Sequence, residues 1–152
     1  MSRTVVLIRH GEAKGKKPGQ TDFERELTSK GAEALRKQFP RALSLVEPTE
    51  ASELWMSPAV RARATAEIAN ETLGIETQRQ IEAMYEQDDD EFLDELAQTD
   101  ADLIVAVGHI PFMEDVCGML CGQYLGFSTG AAAAIEIGDS GRGRLLWFVQ
   151  GK

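Results

Sequence analysis

The chain has 152 residues, 43% hydrophobic and 27% charged, enough to bury one core without disulfide or metal staples. Sixteen Lys and Arg against 25 Asp and Glu leave a formal charge of −9, which argues against a general binder of nucleic acid or anionic membrane. No apolar run approaches the roughly 18–20 residues that cross a bilayer. Val5–Ile8 is too short for the core of an export signal, so the expected location is cytoplasmic.

Val5-Val6-Leu7-Ile8 is continuously apolar and predicts a strand covered on both faces. A polar loop follows from Gly11 to Glu26. Thr28 or Ser29 then caps a helix whose apolar positions are Ala34, Leu35, Phe39, Leu43 and Val46, with Pro40 expected to end or kink it. Glu53–Met56 reads as a second strand. Ser57-Pro58 predicts a helix start, with Ser57 as cap and Pro58 in the first turn, running to Leu73 and stopped by Gly74. Ile75–Gln78 is expected as a short edge strand, and Asp90–Gln98 as a helix burying Phe92, Leu93 and Leu96. Leu103–Val107 is the second strongly buried strand, and Gly108-His109-Ile110-Pro111 turns it into a helix ending near Cys121. Ala132–Ile137 and Arg144–Val149 form a closing hairpin around Gly138-Asp139-Ser140-Gly141. The alternation predicts an α/β fold, 1–152 as one domain, with a mostly parallel central sheet flanked by helices on both faces.

Cys117 and Cys121 are spaced for one helix face and badly aimed for a disulfide, so they read as reduced core thiols. With two histidines and no further cysteine, no metal site is expected. Trp55, Trp147 and Phe148 read as core aromatics, although Trp147 or Phe148 could also lie at an interface. No pattern in the chain specifies an oligomeric state.

Charge is unevenly placed. No Lys or Arg occurs between Arg79 and Arg142, and Glu82–Asp102 carries ten acids. Arg3, Arg9, Lys14, Lys16 and Lys17 crowd the N-terminal region, a basic corner that could hold a small anion. His10 and His109 each follow a buried strand, so both fall on the rim where open α/β sheets bind ligands. Arg9 precedes His10, and Gly11 lets the backbone turn closely. Arg61 starts the helix after another strand end, and His109 lies at a helix N-terminus. Two guanidinium groups, two imidazoles and a helix start suit a phosphoryl group. Arg63, two residues from Arg61, faces elsewhere and reads as a surface charge. Lys14, Lys16 and Lys17 read as a solvated loop.

Arg9-His10-Gly11-Glu12-Ala13, Ser57-Pro58-x-x-Arg61-Ala62-x-x-Thr65-Ala66 and Gly108-His109-x-Pro111, in that order, resemble the histidine phosphatase superfamily, with a phosphoglycerate mutase-like fold. The short length, Leu27-Thr28-x-x-Gly31 and Phe127-Ser128-Thr129-Gly130 resemble its SixA-type phosphohistidine phosphatase branch. The resemblance implies a nucleophilic His10 that becomes a transient phosphohistidine, with Arg9, Arg61 and His109 holding the phosphoryl oxygens. Its other ring N–H would have to be held by a carbonyl or carboxylate. Gly11, Glu12 and Arg25 are implied as substrate-binding residues. In the branch a similar Arg precedes Pro-Leu-Thr, whereas here Glu26 follows Arg25. No cofactor or metal is implied, because cationic side chains supply the neutralisation.

Substrate class turns on a proton donor. Ester cleavage expels an alkoxide and needs an acid; Glu86, Asp88, Asp89 and Asp90 are the candidates, with a solvated acidic face as the plainer reading. An imidazole can leave neutral if it is already protonated. The leading expectation is a phosphatase acting on phosphohistidine of a partner protein. The alternatives are a phosphomonoesterase for a small phosphorylated metabolite and a non-catalytic phosphate-binding module.

Overall fold

A computed structural model describes residues 2–151. Val5–Ile8 sits in mid-sheet with all four side chains fully buried, as its unbroken apolar character requires. It forms the middle of β1 (Arg3–Arg9). The other strands are β2 (Ser52–Met56), β3 (Thr77–Gln80), β4 (Leu103–Gly108), β5 (Ala132–Ile137) and β6 (Gly143–Val149), in the spatial order β3-β2-β4-β1-β5-β6. The first four in that order are mutually parallel. The hairpin β5–β6 is added antiparallel to β1, making the sheet mixed.

Period-two alternation divides the core. Val6, Ile8, Val105 and Val107 meet α1 (Ser29–Ala42) and α2 (Val60–Leu73) on one face. Val5, Leu7, Ile104 and Ala106 meet α3 (Glu82–Glu86), α4 (Asp89–Gln98) and α5 (Phe112–Cys121) on the other. The expected α/β architecture with helices on both faces is therefore present. None of the described helices is long and apolar enough to cross a membrane.

Local signals worked where a side chain meets its own backbone. Thr28 caps α1 by accepting the Gly31 N–H at 2.8 Å. Gly74 ends α2 in the left-handed conformation, φ 66°. Pro40 lies in the last turn of α1, which closes two residues later at Ala42, so it does not stop the helix before itself. The expectation that Ser57 caps α2 is corrected: α2 begins at Val60 with Ala59 as its cap, and Pro58 lies outside the first turn. The Ser57 hydroxyl is used elsewhere. The edge strand also starts later than expected. Ile75 is buried, but its backbone N–H and C=O are both held by the Asn70 side chain in the turn after α2. Two short elements escape periodicity altogether, a one-turn 3-10 helix at Asp22–Glu24 and the five-residue α3.

Candidate active site

Three adjacent parallel strands deliver the site. The β1–β4 register pairs Arg9 with Gly108, so the next residues, His10 and His109, emerge side by side. The His10 N–H donates to the Gly108 carbonyl (2.9 Å), and the Ser57 N–H, just past β2, donates to that of Val107 (3.0 Å). The two imidazole centroids are 5.2 Å apart. Arg9, His10, Asp22, Arg25, Arg61, Tyr85, Gln87, His109 and Ile110 line one cleft of about 440 Å³ at this carboxyl end of the sheet.

Each of the four leading candidates is tethered, three by one nitrogen and Arg61 by two. His10 Nδ1 lies 2.7 Å from the Gly11 carbonyl. A carbonyl only accepts, so the proton is on Nδ1 and Nε2 keeps its lone pair. His109 Nε2 lies 2.8 Å from Ser57 Oγ. That oxygen also accepts the Ala59 N–H at 3.2 Å; with a second lone pair and its own proton it can meet His109 Nε2 as acceptor or as donor. Arg9 Nη1 donates to the Phe127 carbonyl at 2.9 Å. Arg61 donates from Nη1 to the Asp22 carbonyl (2.8 Å) and from Nη2 to Asp22 Oδ2 (3.0 Å).

What remains unpaired is informative. Among the described residues, three buried side-chain nitrogens have no hydrogen-bond partner: Arg9 Nε, Arg61 Nε and His109 Nδ1. All three belong to residues of this one cleft. A buried polar nitrogen without a partner costs about 1–3 kcal/mol, and an oxyanion in the cleft is the kind of group that would satisfy such donors. The tethers leave each guanidinium its Nε edge, a side-on fork suited to phosphoryl oxygens.

Electrostatics reinforce this. Burial, followed by the Arg61, Arg9 and Arg25 charges, pushes His10 down to about 4, against the opposing pull of the Gly11 carbonyl. Burial, then His10, Arg61 and Arg9, take His109 down to about 3, with Asp22 opposing. Both rings are therefore neutral near pH 7. Partial burial disfavours the Asp22 carboxylate, but hydrogen bonds from Arg25, Arg61 and Tyr85, together with the Arg61 charge, outweigh it and hold the carboxyl at about 2. Burial and then Asp22 push the Tyr85 phenol up, so it keeps its proton.

These shifts carry a pH signature. His10 binds a proton in the unfolded chain from about pH 6.5 downward, but in the folded chain only near 4. His10 alone therefore costs stability as pH falls through that window, about 2 kcal/mol between pH 7 and 5 at ~1.4 kcal/mol per pH unit below 6.5, and His109 adds a loss of the same sign. Urea unfolding should show this loss in the wild type and a clearly smaller one in His10→Asn, which has no titrating ring. Equal losses in the two proteins would contradict the buried, neutral His10.

The structure thus brings Arg9, His10, Arg61 and His109 together, and adds Arg25, which donates from Nη1 to Asp22 Oδ1 at 3.1 Å. Gly11 and Glu12, expected to bind substrate, are not among the residues that line the cleft. Gly11 anchors the turn: its N–H donates to Thr65 Oγ1 at 3.1 Å and its carbonyl holds His10. A Cβ there would come within 2.7 Å of Leu35 Cδ1, so close approach and not a positive φ explains the glycine. Glu12 Oε1 accepts from the Thr28 hydroxyl at 2.7 Å and ties the loop to α1. None of Glu86, Asp88, Asp89 and Asp90 lines the cleft; Asp88 caps α4. Arg63 is exposed and donates to the Pro58 carbonyl.

The residues missed are Asp22, Tyr85, Gln87 and Ser57. The Asp22-x-x-Arg25 spacing was a usable signal, because the two form an ion pair in the one-turn helix. Tyr85 carried none. Cys117 and Cys121 are free thiols with sulfurs 3.9 Å apart. No group of three His, Cys, Asp or Glu among the described residues is placed to hold a metal.

Residues 5–92 match the family model "Histidine phosphatase superfamily (branch 1)", and the chain belongs to that superfamily of phosphatases. No curated relative matches the sequence significantly. The fold is similar to that of the protein histidine phosphatase SixA in complex with tungstate, with TM-score 0.79, 23% identity and coverage of 97% of this chain and 96% of that one. A protein of Agrobacterium tumefaciens that bears the SixA name gives TM-score 0.83 and 27% identity, over 97% of both chains. A mycobacterial glucosyl-3-phosphoglycerate phosphatase shares the fold at TM-score 0.68 and 14% identity, over 99% of both.

Proposed function

We propose that this chain removes the phosphoryl group from phosphohistidine on a partner protein, through a covalent phosphohistidine at His10. The observation that carries the reading is the set of three buried, unpaired nitrogens around one cleft. His10 Nε2, with its lone pair free and its partner nitrogen tied to the Gly11 carbonyl, attacks phosphorus in line. Arg9 Nε, Arg61 Nε and the His109 Nδ1–H receive the equatorial oxygens, where charge is concentrated in the transition state. Water then attacks the phosphohistidine, His10 leaves with the P–N bonding pair, and inorganic phosphate departs.

The choice of a P–N over a P–O bond rests on the acids. Asp22 is the carboxyl group of the cleft and is ionised, with no proton to give. The Tyr85 proton is committed to Asp22 Oδ2 at 3.1 Å. An alkoxide would leave unassisted, whereas a protonated imidazole leaves neutral. The SixA-named neighbours support the same direction, and the tungstate in one of them is an oxyanion.

The test is dephosphorylation of a histidine-phosphorylated carrier protein beside a phosphoserine peptide and p-nitrophenyl phosphate, with His10→Ala as control. Fast release from phosphohistidine, slow release from both esters and none by the variant is the expected outcome. Faster release from the esters would replace this reading with a metabolite phosphomonoesterase. No release from any substrate would replace it with a phosphate-binding module.

A further inference from the structure

The cleft wall left over from the phosphoryl cradle consists of Tyr85, Gln87 and Ile110, with Asp22 beside them. Tyr85 is fixed from three directions. Its ring stands edge-on to His109 (centroids 5.7 Å) and to Phe23 (5.3 Å), and its hydroxyl donates to Asp22. It is a rigid aromatic surface inside a polar cleft, and the phosphoryl-binding chemistry does not use it. The Asp22 side chain is 46% exposed although Arg25, Arg61 and Tyr85 all donate to it. A carboxylate has about four acceptor positions, so Asp22 can take one donor more. In-line displacement sends the leaving group away from His10, and Tyr85 and Asp22 are the cleft groups that offer an aromatic surface and an acceptor for it.

We propose that Tyr85 and Asp22 form a leaving-group subsite for a planar, protonated nitrogen heterocycle, the ring packing on Tyr85 and its N–H donating to the Asp22 carboxylate. The inference rests on the phosphohistidine reading and adds to it the groups that recognise the departing ring. The His10 Nε2–P bond forms as the substrate P–N bond breaks. The bonding pair goes to the ring nitrogen, and the ring leaves as neutral imidazole with the proton it already carried on its other nitrogen. The carboxylate transfers no proton. It favours the protonated form of the bound substrate through a charge-assisted hydrogen bond. A serine phosphate or a sugar phosphate offers neither a flat face nor that N–H.

The experiment compares kcat/KM for N-phosphoimidazole with that for phosphoramidate, which has the same bond and no ring. It uses wild type, Tyr85→Phe and Tyr85→Leu. Because both substrates are read on one preparation, any unfolded fraction cancels in the ratio. The ratio should stay within about twofold in Tyr85→Phe and fall about three- to tenfold in Tyr85→Leu, the range of an aromatic packing contact. Asp22→Asn should lower the same ratio, more at pH 8 than at pH 6, where the ring is protonated without help. A ratio unchanged in Tyr85→Leu would overturn the subsite and leave the P–N reading standing. Wild-type turnover of neither P–N compound would overturn both.

Discussion

His10→Ala should lower turnover by about 10⁴–10⁶-fold, the order seen when a covalent nucleophile is removed, while leaving the sheet intact. His10 follows the last residue of β1, and its backbone N–H, which survives the substitution, still bonds the Gly108 carbonyl. The side chain packs against His109 and Gly11, not within the two apolar layers. Wild type quenched during turnover with labelled substrate should retain phosphate with the lability of a P–N bond, lost in acid and kept in base. The variant should retain none. Label on the variant, or a drop of less than tenfold, would place the nucleophile elsewhere.

Arg61→Ala should reduce kcat about 10²–10³-fold, comparable to losing one fixed donor to a transition-state oxyanion, with KM raised as well. Arg61 is buried and carries two tasks at once. Its terminal nitrogens hold the carbonyl and carboxylate of Asp22, and its Nε is buried without a partner. Alanine removes the donor and also leaves Asp22 with only Arg25 and Tyr85. The informative companion is Arg61→Lys. A lysine ammonium keeps the charge, but it is a point donor without the planar fork needed to grip Asp22 and a phosphoryl oxygen together. It should recover less than tenfold of the loss. If lysine restored half of the wild-type rate, net charge alone would explain Arg61, and the fork geometry would be irrelevant.

Much of this site was legible because it is built at strand ends. Val5–Ile8 and Leu103–Val107 are recognisable from composition alone, since only a strand covered on both faces is apolar at every position. Once those strands are parallel neighbours, His10 and His109 must emerge together, and both histidines carried that information in their position. Arg61 was legible by the same logic one strand further out, at the start of α2.

Ser57 shows where local reasoning misleads. Serine before proline after a strand has the pattern of a helix cap, and its hydroxyl does accept the Ala59 N–H. The same hydroxyl is also within hydrogen-bond distance of His109, 52 residues away, and thereby tethers that ring through Nε2. No spacing rule reaches across β2 and β4. Asp22 and Tyr85 were invisible for a related reason: they sit in elements of three and five residues, too short for periodicity to show. Glu86 to Asp90 were better candidates by charge density, yet the turn at Gln87, with φ 61°, puts Gln87 and not its acidic neighbours on the cleft wall.

The class of fold, the candidate edge of the sheet and the four side chains first in line there were thus readable from the amino-acid order. These follow from apolar runs, from residues at or shortly after their ends, and from the motifs that resemble the superfamily. Only packing between distant segments settles which nitrogens are tethered, gives the cleft its ionised Asp22 carboxylate and puts Tyr85 in the wall beside His109. Such properties arise from burial and from contacts between residues 39 to 118 positions apart, such as Arg61 with Asp22 and Arg9 with Phe127. Their energies depend on desolvation, which no local stretch of chain encodes.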